Sequence, residues 1–227
     1  MINIEGYLQT KIASYLINLY PYPRPIYLIK AGFTNYLLEK KCGGDEELNE
    51  QGLNFAKYAN RFFENELQDE VEFKQSTQPV KILCSTLKRS YSTAQELKIA
   101  DTQAIKIKNL DSINFGLWDG LTEGDIEKKY PGLCEERIND SYRFRYPRGE
   151  SYSDLVQRVV PVIFEIERSQ SPVIIVAHLS TLRCIYAYFT KNEISEMPHI
   201  DIPYNSIIKL IPEVYFCNEK RCLFSFH

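Results

Sequence analysis

Pro172-Val-Ile-Ile-Val-Ala-His-Leu-Ser-Thr-Leu-Arg183 is the stretch that decides the fold. Its first apolar run, Val173 to Ala177, has no polar position at all. A strand with one face in water alternates, whereas a strand covered on both faces does not. The run therefore reads as a central parallel strand. Thr181 to Phe189 then shows helical spacing. Working outward, Ile26 to Ile29, Val80 to Cys84, Ala104 to Leu110 and Ser206 to Ile211 read as further strands. Leu48 to Leu67, Lys88 to Leu97 and Ser153 to Ile166 read as helices. Alternating strands and helices predict a three-layer α/β fold, with a mostly parallel central sheet and helices on both faces.

Ligands of open α/β sheets bind beyond the carboxyl ends of the strands. Lys30, Ala31 and Gly32 follow the first strand; Ser85, Thr86, Lys88 and Arg89 follow the second; His178, Ser180, Thr181 and Arg183 follow Val173–Ala177. Two of these ends lead into helices, whose N-termini favour anions. One arginine at a strand end is ordinarily a solvated charge, and a histidine beside an apolar strand is ordinarily structural. Three such ends in a chain of net charge -3 point instead to a site for phosphate or a similar anion.

Composition narrows the classes. The 227 residues, 44% of them hydrophobic, suffice for one large α/β domain with its own core. The acidic balance does not suit nucleic acid. No segment reads as a signal peptide or a membrane span. Six cysteines with no C-x-x-C pair read as reduced thiols of a cytoplasmic protein. Leu8, Ile12, Tyr15, Leu16 and Leu19 predict an amphipathic N-terminal helix, which Pro21 to Pro25 ends. Residues 1–25 are thus read as a helix and linker, and 26–227 as the main domain.

Several longer motifs carry a resemblance. Lys30-Ala-Gly-Phe-Thr34, Cys42-Gly-Gly-Asp45 and Leu48-Asn-Glu-Gln-Gly52 follow one another at the spacing of fructose-2,6-bisphosphatase domains, which open Arg-His-Gly-Glu. Ser85 to Ser90 resembles that family's second arginine motif, and Tyr142 to Arg158 and Ile174 to Phe189 resemble this branch in particular. The likeness runs from about Ile4 to Tyr215. It implies a histidine-phosphatase fold of the phosphoglycerate-mutase type. Ile4 to Leu19 resembles the end of the kinase half of bifunctional 6-phosphofructo-2-kinase/fructose-2,6-bisphosphatases, which implies a chain cut from a longer protein with that half as partner. No phosphate-loop motif occurs in the sequence, so kinase activity is not expected of this chain.

The family reaction passes a phosphoryl group to a histidine and then to water. The resemblance puts Ala31 at the nucleophile position and Ser112 at the proton-donor position. Neither can do that chemistry, so a hydrolytically inactive domain with a structural or regulatory role is expected. It implies phosphate binding by Lys30, Gly43, Arg89 and His178, the last being the retained second histidine. Sugar-phosphate binding is implied at Arg137, Tyr152 and Arg183. Lys30 stands for a family arginine, Leu37 for an asparagine, and Glu123, Ser141 and Leu179 for a tyrosine, a lysine and a glutamine. His178 is read as the histidine near the site, with His199 and His227 beyond it, and Asp111 and Asp119 as turn or surface acids. No metal and no cofactor is implied. A sugar phosphate or phosphate is the expected ligand, and homo-oligomerisation is left open. The alternatives are a working phosphatase, either re-routed or with one altered nucleophile, and a module binding another phosphorylated ligand.

Overall fold

Residues 24–69, 79–99, 102–213 and 215–224 are described by the computed structural model. The strands are β1 (Ile26–Lys30), β2 (Lys81–Cys84), β3 (Ala104–Lys106), β4 (Val173–Ala177), β5 (Ser206–Pro212) and β6 (Cys217–Leu223). They form one sheet in the order β3-β2-β4-β1-β5-β6. β4 pairs in parallel with both β1 and β2, so its all-apolar sequence sits where both faces are covered. β3 also pairs in parallel, with β2, whereas β5 and β6 run antiparallel. The helices are α1 (Asn35–Leu38), α2 (Glu50–Asp69), α3 (Lys88–Gln95), α4 (Glu123–Lys129), α5 (Pro131–Asn139), α6 (Tyr152–Arg168) and α7 (Leu179–Thr190).

The pleat sends alternate strand residues to opposite cores. Ile26 and Leu28 of β1 join Val173 and Ile175 of β4 in one core, closed by Leu155, Val159 and Ile166 of α6 and Leu182 and Ile185 of α7. Tyr27 and Ile29 join Ile174 and Val176 in the other, closed by Phe55, Ala59 and Phe63 of α2 and Ala94 of α3. Three layers result, as the apolar pattern predicts. α6 starts where Ser151 and Asp154 form a reciprocal capping box, and its buried residues recur along one stripe. α2 starts at Glu50, two residues past the expected point, because Asn49 Oδ1 accepts the Gly52 N–H at 2.9 Å. Gly52 there lies against the Phe33 backbone; a Cβ would fall 2.4 Å from the Phe33 carbonyl oxygen. This packing ties the exit of β1 to the first turn of α2.

One strand is shorter than expected. β3 stops at Lys106, and Lys108–Leu110 turns as a 3-10 helix. The Arg158 guanidinium explains the break. It donates to the carbonyls of Lys108, Asn109, Asp111 and Ser112 and pairs with Glu150 at 2.8 Å. Carbonyls of an extended strand alternate in direction and cannot converge on one side chain. The expected helix at Leu8 to Leu19 lies outside the described residues, as do His227 and the side chain of Leu67.

Candidate functional site

The carboxyl ends of β1, β2 and β4 open into a cleft of about 550 Å³. It is lined by Lys30, Ala31, Leu37, Gly43, Arg89, Ser112, Arg137, Ser141, Tyr152, His178, Leu179 and Arg183. Sequence reasoning singled out each of these, from six separate stretches of chain, and the fold brings them together. Glu123 is not in the lining; it pairs from α4 with Arg137 at 3.5 Å. Among the described residues the lining holds five Lys or Arg side chains and no carboxylate. The domain is acidic overall, so this local excess of positive charge is a property of the cleft itself.

A chain of hydrogen bonds sets the geometry. Asp111 accepts from the Ser85 hydroxyl at 2.7 Å. Ser85 Oγ lies 2.8 Å from His178 Nε2, and with its own proton on Asp111 it accepts the imidazole N–H. His178 Nδ1 then accepts from Arg89 Nε at 3.1 Å. Arg89 Nη1 donates to the carbonyls of Gly43 and Gly44 at 3.2 and 2.7 Å. Both glycines have positive φ, 72° and 71°, which aims these carbonyls at one guanidinium. His178 is 4% exposed. Burial, then Arg89, then Arg158 hold its pKa well below the ordinary 6.5. The imidazole is therefore neutral, and both of its nitrogens are engaged inside the protein. Its visible work is to orient Arg89, whose Nη2 has no partner among the described residues.

Arg183 is built similarly. Its Nε donates to the Ile200 carbonyl at 2.7 Å and its Nη1 to the Tyr152 hydroxyl at 3.2 Å. Burial raises the Tyr152 pKa, so the phenol stays protonated. Arg137 lies over the Trp118 ring at 5.6 Å. Lys30 is buried; its Nζ donates to the Ile202 carbonyl at 3.1 Å and sits 3.2 Å from the centroid of the Tyr204 ring. Burial first, and then Arg183, lower its pKa from 10.5 to about 7, with Asp201 acting the other way.

Ala31 closes the floor. Its N–H donates to the Ala177 carbonyl at 2.8 Å, and a methyl group meets the cleft at the tip of β1. Ser112 stands in a wall held from two sides. Arg158 binds its carbonyl, and Ser180 and Thr181 at the start of α7 bind Ile113 N–H and the Asp111 carbonyl. Asp111 and Asp119 face a neighbouring cleft rather than this one. Asp111 is taken up by Ser85 and Thr86, and Asp119 accepts the Gly44 N–H at 2.9 Å.

The sequence reading placed His199 away from the site, and the structure corrects it. A 3-10 turn, Met197–His199, packs against α7 and brings an exposed His199 to the cleft's edge. Tyr36 and Tyr204 also line the cleft and carry no motif that would have drawn attention, and Tyr146 joins them from within the Tyr142 to Arg158 motif, where it was not singled out. The arrangement as built can hold an anion. It lacks an attacking group at the end of β1 and an acid in its lining.

A cationic cleft at the strand ends of such a sheet, reached from β1 and from the β4–α7 corner, defines a histidine-phosphatase-type domain. The chain belongs to the histidine phosphatase superfamily (branch 1), which it matches over residues 26–217. Within it, the chain is similar to fructose-2,6-bisphosphatase domains. It is 39% identical over 215 residues to a 6-phosphofructo-2-kinase/fructose-2,6-bisphosphatase of Caenorhabditis elegans, covering 95% of this chain and 45% of that protein. It is 40% identical over 212 residues to a fructose-2,6-bisphosphatase of Saccharomyces cerevisiae, covering 93% and 44%. The chain thus spans less than half the length of these curated relatives. Solved structures share the fold: an alpha-ribazole phosphatase from Shigella flexneri (TM-score 0.73, 19% identity, 89% of this chain and 100% of that one) and a mycobacterial glucosyl-3-phosphoglycerate phosphatase (TM-score 0.70, 23% identity, 90% and 100%). No helix among the described residues is long and apolar enough to cross a membrane.

Proposed function

We propose that this is a fructose-2,6-bisphosphatase-like domain that has given up hydrolysis and kept an anion site. It acts as a structural or regulatory part of a larger cytoplasmic 6-phosphofructo-2-kinase/fructose-2,6-bisphosphatase-like protein, with the kinase half as its partner. The ligand is phosphate or a sugar phosphate, gripped by Arg89 and Arg183 through their Nη2 groups, which have no hydrogen-bond partner among the described residues. One observation carries the reading: the cleft has a methyl group at Ala31 and no carboxylate in its described lining. Phosphohistidine formation needs an imidazole in line with phosphorus, and departure of a sugar oxygen needs a proton. Loss of the acid alone is worth about two to four powers of ten.

The second reading is a re-routed phosphatase, and His199 favours it. It is the exposed imidazole at the cleft, with no side-chain partner among the described residues. A steady-state phosphate-release assay with fructose-2,6-bisphosphate separates the two. The native chain should stay at the no-enzyme blank, with or without His199→Ala. Ala31→His should give trace turnover only, because Ser112 still cannot protonate the leaving oxygen. Ala31→His with Ser112→Glu should exceed either single change, since groups acting as one unit are non-additive. Adding Lys30→Arg and Leu37→Asn should raise turnover again. Turnover of the native chain that His199→Ala abolishes establishes the second reading, and brisk hydrolysis by Ala31→His alone would show that only the nucleophile was missing.

A further inference from the structure

Anion binding gives Lys30 little to do that an arginine would not do better. A guanidinium offers a planar fork and keeps its charge at any working pH. A lysine offers something a guanidinium does not, a primary amine that becomes a nucleophile when it loses its proton.

Burial and the neighbouring Arg183 favour that form. Lys30 ends β1 in fixed register with Ala177 of β4, and the residue is 6% exposed. No carboxylate among the described residues lies within ion-pair distance of it. The charged groups that act on it are Arg183 of α7 and, from the segment before β5, Asp201. Its amine is held by the Ile202 carbonyl and over the face of the Tyr204 ring, contacts that fix the nitrogen in place and favour its charged form against burial and Arg183. With a pKa of about 7, a large share of this amine is uncharged in neutral solution, against roughly one part in a thousand for an ordinary lysine. Arg89 and Arg183 line the same cleft.

Together with the anion-site reading above, on which this rests, the geometry leads us to propose that Lys30 is a covalent capture site. Its amine condenses with the carbonyl group of a phosphate-bearing aldehyde or ketone whose phosphate Arg89 and Arg183 hold. The nitrogen lone pair attacks the carbonyl carbon and the C=O π pair moves to oxygen. The oxygen takes the two protons that nitrogen gives up and leaves as water, and a C=N bond remains. Nothing is oxidised or reduced. Holding the phosphate end supplies the proximity that makes such a condensation effectively intramolecular.

The test uses pyridoxal 5'-phosphate as probe on the full chain at pH 7.5, with borohydride to reduce any imine to a stable secondary amine, and peptide mass mapping. Lys30 should be labelled faster than exposed Lys40, Lys57 and Lys88, by at least on the order of 10-fold. Inorganic phosphate should suppress the Lys30 label and leave the others. Pyridoxal without its phosphate should lose the preference. Lys30→Arg should remove that one label and keep the circular dichroism spectrum of the native chain, which shows the protein remains folded. Phosphate binding with no excess label at Lys30 overturns the proposal, and so does Lys30 labelling that phosphate does not compete. If calorimetry finds no phosphate binding to the native chain at millimolar levels, it is the anion-site reading that fails.

Discussion

Replacing Lys30 by methionine should stabilise the protein, and by an amount that depends on pH in a calculable way. Methionine keeps an unbranched stem of similar length and removes the amine. In the unfolded chain Lys30 keeps its ordinary pKa of 10.5, whereas burial and Arg183 hold it at about 7 in the fold. Below pH 7 the amine is protonated in both states, and the folded protein carries the full cost of a buried ammonium. Between 7 and 10.5 the unfolded chain binds the extra proton, so native stability rises with pH through that window. At about 1.36 kcal/mol per pKa unit, the full cost is on the order of 5 kcal/mol. Between pH 6 and pH 9 the native chain should therefore gain about 3 kcal/mol relative to Lys30→Met. Groups that titrate equally in both proteins cancel from the difference. Urea unfolding of the two proteins at half-unit steps of pH measures it, with m-values checked for equality. Lys30→Met should be the more stable protein at pH 6, with its advantage shrinking steadily towards pH 9. A difference that stays flat across the range would refute the argument, because it would mean that Lys30 keeps an ordinary pKa in the fold.

Three further expectations rest on single contacts. Arg158→Met should cost about 3 kcal/mol in urea unfolding, because it leaves Glu150 unpaired and frees four carbonyls of the 108–112 segment; a loss under about 1 kcal/mol would show that the segment holds itself. Ser151→Ala should cost about 1 kcal/mol through loss of the α6 capping box, measured the same way. For inorganic phosphate in calorimetry, Arg89→Ala should weaken binding by about 10-fold or more, since it removes a charge with an unused donor group. Arg137→Ala should change it by about 2-fold, because the half-buried Arg137 is already paired with an exposed Glu123.

The parts of this fold that could be read from the sequence are those whose burial leaves a pattern. β1 and β4 are buried at every residue, and Ile26–Ile29 and Val173–Ala177 read as unbroken apolar runs. α6 buries one stripe, so its 3.6-residue period is visible. β6, Cys-Asn-Glu-Lys-Arg-Cys-Leu, has neither property. It is an edge strand exposed along most of its length, and no alternation marks it. α4 and α5 were missed for the same reason; of their residues only Ile126 is buried. The site was legible where it hangs on strand ends, which is how Lys30, Arg89, His178 and Arg183 could be grouped. His199 and Tyr204 reach the cleft through a single 3-10 turn and the loop after it, between α7 and β5, and segments that short have no period to read. Ser112 was placed by resemblance alone; its position depends on Arg158, Ser180 and Thr181, which lie far along the chain.

The bonded series from Asp111 through Ser85, His178 and Arg89 to Gly43 and Gly44 runs from the loop after β3 across the ends of β2 and β4 to the loop after β1. It works as a keystone course. Each member is seated by its neighbour, so removing one unseats several segments at once. Ala31 carries no such duty, and the side chain of Ser112 bonds to nothing else among the described residues. A lineage under pressure only to fold would shed side chains at positions like these first and keep Arg89 and His178 much longer. The order in which side chains of such a cleft can be lost is then set by which of them also hold up its walls.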